Sequence, residues 1–137
     1  MRDHIDAVAA TLSVLGLPIY VTTVPDDAPP LPYIMVWMGP GATTARDQPL
    51  DQVHNLTVPV GITAVAPDPQ GASQVANDVR LLLGQGNWCD LAVKGHTAAI
   101  RWSHFATAST NPGGDVPTTP NNPAIEVHMY QIASSPL

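Results

Sequence analysis

A chain of 137 residues suits one domain, and its 5 basic against 11 acidic residues leave it at −6, without the basic footprint of a nucleic-acid binder or the polybasic patch of an anionic-membrane binder. Hydrophobic residues at 45% suit a packed core, and 15 prolines with 10 glycines stay below a disordered composition, which indicates a folded domain with long, stiff connections. The single cysteine, Cys89, rules out an intrachain disulfide and fits a reducing compartment, and no apolar run approaches the roughly 18 residues of a membrane span.

The N-terminus opens an amphipathic pattern containing acids, unlike a signal peptide. Residues 3–15 read as a helix, because Ile5, Val8, Ala9, Leu12 and Leu15 recur at three- and four-residue spacing. Asp3 is placed to cap the first turn, Asp6 favours the positive end of the helix, and Gly16 followed by Pro18 ends it. Residues 18–24 are β-branched and aromatic and read as a strand. After the turn PDDAPP, residues 31–38 are apolar on both alternating sets, with Tyr33, Met35 and Trp37 on one and Ile34, Val36 and Met38 on the other. Such a strand is buried on both faces and central in its sheet.

A long loop over 39–52 precedes a strand over 53–66, where Leu56, Val58, Val60, Ile62 and Ala64 alternate with Asn55, Thr57, Gly61 and Thr63. Pro59 removes a ladder donor, which predicts an edge position or a bulge there. Asp68-Pro69 marks a helix start, and the stripe Ala72, Val75, Ala76, Val79, Leu82 and Leu83 carries the helix to about Leu83, where Gly84 and Gly86 end it. Residues 96–105 read as a strand with Ile100 and Trp102 on one face. A proline-rich loop covers 106–123. Residues 124–133 form the last strand, with Ile125, Val127 and Met129 opposite Glu126, His128 and Tyr130. The order predicts an α+β fold: a mostly antiparallel four- to five-stranded sheet packed against two helices, in a single domain over 1–137. Two helices cover one face of such a sheet, so the other requires long loops or another subunit.

The chemistry-bearing residues form no recognisable set. His4, His54, His96, His104 and His128 show no helical HxxxH spacing, and one cysteine cannot build a zinc cluster. His96, His104 and His128 lie on neighbouring strands, which leaves open either a shared face or ordinary strand histidines. Ser103-His104 are adjacent on a strand, so simple alternation points them to opposite faces and denies them a mutual hydrogen bond. Asp26-Asp27 lies in a proline-flanked turn, and Glu126, the only glutamate, has no second carboxylate nearby in sequence. The clusters GPG (39–41) and GQG (84–86) lack phosphate-loop spacing. Trp37, Trp88 and Trp102 read as core or rim packing. No catalytic, metal or cofactor-binding residue is expected. Arg46, Asp47 and Asp51 in the first long loop, and Asn111 and Asp115 in the second, are candidates for subunit contacts, against the plainer reading of solvated loop charges.

The helix leading to a strand, the central PYIMVW strand with its long loop, and the segment VGITAVAPDPQGASQVANDVRLLLGQG resemble the tail terminator, or tail completion, proteins of long-tailed bacteriophages, especially those of actinobacterial hosts. The resemblance covers about residues 3–133 and is closest over Val58–Gly86. It implies a non-enzymatic virion protein at the neck: a hexameric ring that caps the tail tube, joins the head–tail connector and assembles in the host cytoplasm. Tail tube and connector or stopper proteins would be its partners, and genomic DNA would pass through the lumen without specific binding, consistent with acidic walls. Another neck component, a small enzyme using His104 or His128 with Glu126 or an aspartate, and a ligand-binding domain with an enclosed apolar pocket are the alternative readings.

Overall fold

A computed structural model describes residues 2–22, 31–38, 56–109 and 124–136. In chain order its elements are α1 (Arg2–Leu12), a 3₁₀ turn (Ser13–Leu15), β1 (Ile19–Val21), β2 (Tyr33–Met38), β3 (Leu56–Ala66), α2 (Pro69–Leu82), β4 (Cys89–Leu91), β5 (His96–Ser109) and β6 (Ala124–Pro136). The strands form one six-stranded sheet ordered β1-β2-β3-β6-β5-β4. β1 runs parallel to β2, and every other pairing is antiparallel. The fold is therefore α+β with a mixed sheet. The strand beyond the expected four to five is β4, three residues long. Asp3 sits inside the first turn of α1 rather than before it.

Both helices lie on one face of the sheet. Ile5, Val8 and Leu12 of α1 and Val75, Ala76 and Val79 of α2 share a core with Ile34, Val36, Val58, Val60, Ile62, Tyr130, Ile132 and Ile100. α1 touches β1 and β2 at one sheet edge and β4 at the other, so the sheet curls around the helical layer. Gly16 closes the 3₁₀ turn in the left-handed region, at φ 74°, and its N–H donates to the Ser13 carbonyl at 3.1 Å.

The start of α2 follows from Asp68-Pro69. Asp68 is extended (φ −141°, ψ 163°), and its carboxylate accepts the Gly71 N–H at 2.6 Å, while Pro69 occupies a position that needs no N–H. Asp68→Ala is expected to cost about 1 kcal/mol of stability. Urea unfolding measures it, and an unchanged midpoint would remove the cap as a contributor.

β2 is covered on both faces, as its double apolar pattern predicts. Ile34 and Val36 enter the core beneath the helices, and Tyr33 and Met35 join Val65 on the far face, with Tyr20, Leu31, Trp37 and Ile125 against them. Pro59 sits in β3, an interior strand. The β6 ladder runs through it without a register shift, so there is no bulge, while the β2 ladder stops one residue short, at Val60. The missing proline N–H thus falls where β3 has a described partner on one side only.

α1 also buries His4, which is 2% exposed. Its Nε2 lies 2.9 Å from Ser134 Oγ, its ring meets His96 edge-on at 4.8 Å, and its Nδ1 has no hydrogen-bond partner among the described residues. Burial first, and the neighbouring His96 second, hold its pKa below the ordinary 6.5. The unfolded chain therefore takes up this proton before the folded one. The stability contributed by neutral His4 is complete above that ordinary value and is lost as pH falls through the lowered one. Urea midpoints measured from about pH 7.5 to 5 should slope less in His4→Gln than in the parent chain. Equal slopes would exclude His4 as the source.

Candidate functional site

Register places the two sides of the sheet in rows. On the helical side run Val36–Ile62–His128–Phe105 and Met38–Val60–Tyr130–Trp102, and on the far side Met35–Thr63–Val127–Thr107 and Trp37–Gly61–Met129–His104. The apolar set of β6 (Ile125, Val127, Met129) thus faces away from the helices, and Glu126, His128 and Tyr130 face them.

Glu126 and His128 of that set are satisfied by a connected chain beneath α2. Ser73 Oγ donates to Glu126 Oε1 at 2.7 Å, and His128 Nε2 lies 2.6 Å from Glu126 Oε2. Trp102 Nε1 donates to His128 Nδ1 at 2.9 Å. An indole N–H only donates, so Nδ1 must accept, and the His128 proton sits on Nε2, facing the carboxylate. Phe105 meets the His128 ring edge-on at 5.4 Å, and the Arg80 guanidinium lies 5.0 Å above the Trp102 ring. The Tyr130 hydroxyl is buried without a partner among the described residues, and burial raises its pKa.

The far side differs. The Trp37 indole lies flat over Gly61, and its Nε1 donates to Thr63 Oγ1 at 2.9 Å. Beside it opens a hollow of about 460 Å³, lined chiefly by Trp37, Pro59, Met129, Gln131, Ser103 and His104. Next to the hollow, Arg101 donates weakly to Gln131 Oε1 at 3.4 Å and lies 4.7 Å over the ring of Trp88, itself 48% exposed.

β5 departs from simple alternation here. Its register against β6 shifts between Trp102 and His104 and again between Phe105 and Thr107, each shift inserting one extra residue. The first bulge brings Ser103 and His104 to one side, with Oγ and Nδ1 3.0 Å apart. The expectation that these neighbours could not hydrogen-bond is therefore overturned, because alternation fails at a bulge. Both are exposed. No carboxylate among the described residues hydrogen-bonds the His104 ring, so the pair lacks the orienting acid of a catalytic triad. β5 also continues to Ser109, where the sequence pattern ended it at Phe105; Thr107, Ala108 and Ser109 pair with Val127, Glu126 and Ile125. β4 covers only Ala98–Ile100, so Arg101–Ser109 has no strand on its outer edge among the described residues.

The histidines do not converge: His96 lies against His4, His104 on the far side and His128 under α2. Among the described residues no group of three or more His, Cys, Asp or Glu could hold a metal ion, and no helix is long and apolar enough to cross a membrane. Arg46, Asp47, Asp51, Asn111 and Asp115 lie outside the described residues, as do His54, the Asp26-Asp27 turn and the GPG cluster. The features that sequence reasoning missed are the hollow, the bulged pair and the Arg101–Trp88 stack. Of these only the hollow left a trace, through Gly61 under its Trp37 wall: a glycine within a strand pattern signals close approach by another group.

No family model and no curated protein matches this sequence. Solved structures do share the fold. A chain of the virion of a native gene transfer agent particle is 16% identical, with a TM-score of 0.57, over 93% of this chain and 85% of that one. A second solved chain, carrying only a sequence label, is 19% identical, with a TM-score of 0.53, over 98% and 89%. At these identities the likeness is one of fold.

Proposed function

We propose that this chain is a structural protein of a phage-type virion, and that it forms a ring which caps the tail tube and joins it to the head–tail connector. The observation that carries the reading is the nearly whole-length fold shared with a chain of a gene transfer agent virion. Four features support it. The resemblance in element order to tail terminator proteins agrees with that fold. The far side of the sheet and the outer edge of β5 present Trp, Arg and Phe side chains of the kind that anchor protein interfaces. The Ser103–His104 pair has no acid behind it among the described residues, so the reading assigns no catalysis. The net charge of −6 gives a ring lumen little to hold DNA with, since DNA adheres through counterion release to basic walls.

Electron microscopy of the purified protein, alone and mixed with phage tail tubes, tests the proposal. Rings of one diameter, stacked only at tube ends, are the expected result. A monomer that ignores tubes at every concentration would overturn it.

Deleting residues 110–121 separates folding from assembly. β5 ends at Ser109 and β6 begins at Ala124, so the deletion spares both strands. Ser109 pairs with Ile125, so the two remaining residues have only the gap of a tight hairpin connection to span. The thermal melt should stay within a few degrees of the parent while ring formation on tubes is lost. A chain that unfolds on deletion would assign the segment to the core instead.

A further inference from the structure

The two surfaces of this molecule are complementary to one another. On α2 the buried stripe is Ala72, Val75, Ala76 and Val79. Leu81 stands on the opposite side of the helix, 50% exposed, and points directly away from the sheet. Asp78 lies three residues before it on the same outer side, its carboxylate accepting from Gln74 Nε2 at 3.0 Å. The exposed large apolar residues among those described are Val14, Met38, Leu81, Trp88 and Phe105. Of these, Leu81 alone has an acid one helical turn away.

The far side of the sheet offers the reverse pairing. Its hollow is apolar on the Trp37, Pro59 and Met129 walls, and Gln131 joins it to Arg101. Arg101 is the one Lys or Arg on a strand among the described residues. It makes no ion pair with any described carboxylate, and Asp90, the acid on the same side, is exposed. Side chains three residues apart on a helix are separated by about 5–6 Å. Arg101 stands beside the hollow through its contact with Gln131, one of the lining residues. Each surface thus sets one charged group beside one apolar feature.

We infer that a second copy of this chain docks head to tail, its Leu81 entering the hollow while its Asp78 meets Arg101 beside Trp88. This contact rests on the ring reading and specifies it. It joins two different surfaces of each subunit, the type of interface whose repetition closes a ring. The Arg101–Trp88 stack supplies a preordered cation for it, and Leu81 loses its exposed area to the walls of the hollow.

Charge reversal tests it in the full chain. Asp78→Arg and Arg101→Asp should each weaken self-association in sedimentation by about tenfold or more, and the double variant should recover most of the loss. Far-UV circular dichroism and melting confirm that each variant is folded. As a second measurement, Asp78→Cys and Arg101→Cys, each with Cys89→Ser, are mixed under mild oxidation. A disulfide-linked dimer should form in the mixture and in neither variant alone, because the two positions lie on opposite sides of one molecule. If the parent associates but the single variants associate equally well, or the double variant does not recover, the contact is wrong and the ring reading stands. If the parent is monomeric both free and with tail tubes, the contact and the ring reading fail together.

Discussion

Gly61→Ala should destabilise the protein by about 3 kcal/mol, more than most single methyl additions. An ideal Cβ on Gly61 would overlap three atoms of the Trp37 indole, the nearest at 2.2 Å. The obstacle is a rigid bicyclic ring, so it cannot yield by a terminal rotation. Trp37 must leave its place, which breaks the Nε1–H bond to Thr63 and opens one wall of the hollow. Displacing a packed ring costs about 1–3 kcal/mol, and the lost hydrogen bond adds about 1. β3 is paired on both sides at this residue, to Trp37 and Met129, so the strand cannot shift to make room. A double-mutant cycle isolates the cause. In a Trp37→Ala background the three atoms that the added methyl would overlap are gone, and the same substitution should cost less than about 0.5 kcal/mol. Urea unfolding of the four proteins gives the coupling. If Gly61→Ala costs the same in both backgrounds, backbone preference rather than the Trp37 ring explains the glycine.

The sequence made legible what depends on local pattern. The α1 and α2 stripes, the Asp68-Pro69 start, the Gly16 stop and the two-sided burial of β2 each follow from residues within one element. What stayed hidden depends on pairing between elements. Ala106, Thr107, Ala108 and Ser109 carry no strand signal of their own, and β6 supplies it by pairing with all but the bulged Ala106. The bulges at Ser103 and Ala106 leave no trace in hydrophobic alternation, so the Ser103–His104 contact was read backwards. β4 is too short for its periodicity to register. The side of β6 that meets the helices was also beyond reach. Burying Glu126 and His128 under α2 contradicts a simple apolar-inward rule, and it holds because Ser73 and Trp102, far away in sequence, complete their hydrogen bonds. The subunit-contact residues expected in the two long loops lie outside the described segments. The docking surface inferred for a second copy lies on α2 and the sheet, where the exposed Leu81 was hidden in an apolar helix pattern.

The hydrogen-bonded chain under α2 makes a second prediction whose sign depends on direction. Removing the imidazole with His128→Ala strands the Trp102 N–H and one Glu126 oxygen in a half-buried setting, and it removes the ring that Phe105 meets. The expected loss is about 3 kcal/mol, from two unpaired groups and the vacated volume. Glu126→Ala should cost about 2 kcal/mol, because the His128 Nε2–H and the Ser73 hydroxyl both lose their acceptor. Glu126→Gln discriminates between hydrogen bonding and mere occupancy. Its amide oxygen can accept from His128, and its NH₂ can face Ser73, whose hydroxyl can turn to accept. That arrangement leaves no donor facing a donor, so Glu126→Gln should cost less than about 1 kcal/mol. The reverse orientation is closed: an NH₂ facing His128 would require Nδ1 to carry the proton, and the Trp102 N–H occupies that direction. Urea unfolding ranks the three variants, and ¹⁵N chemical shifts of the His128 ring report the tautomer. A Glu126→Gln protein as unstable as Glu126→Ala, or a proton found on Nδ1, would show that α2 is held to the sheet by its apolar stripe alone, with the polar chain contributing nothing to its docking.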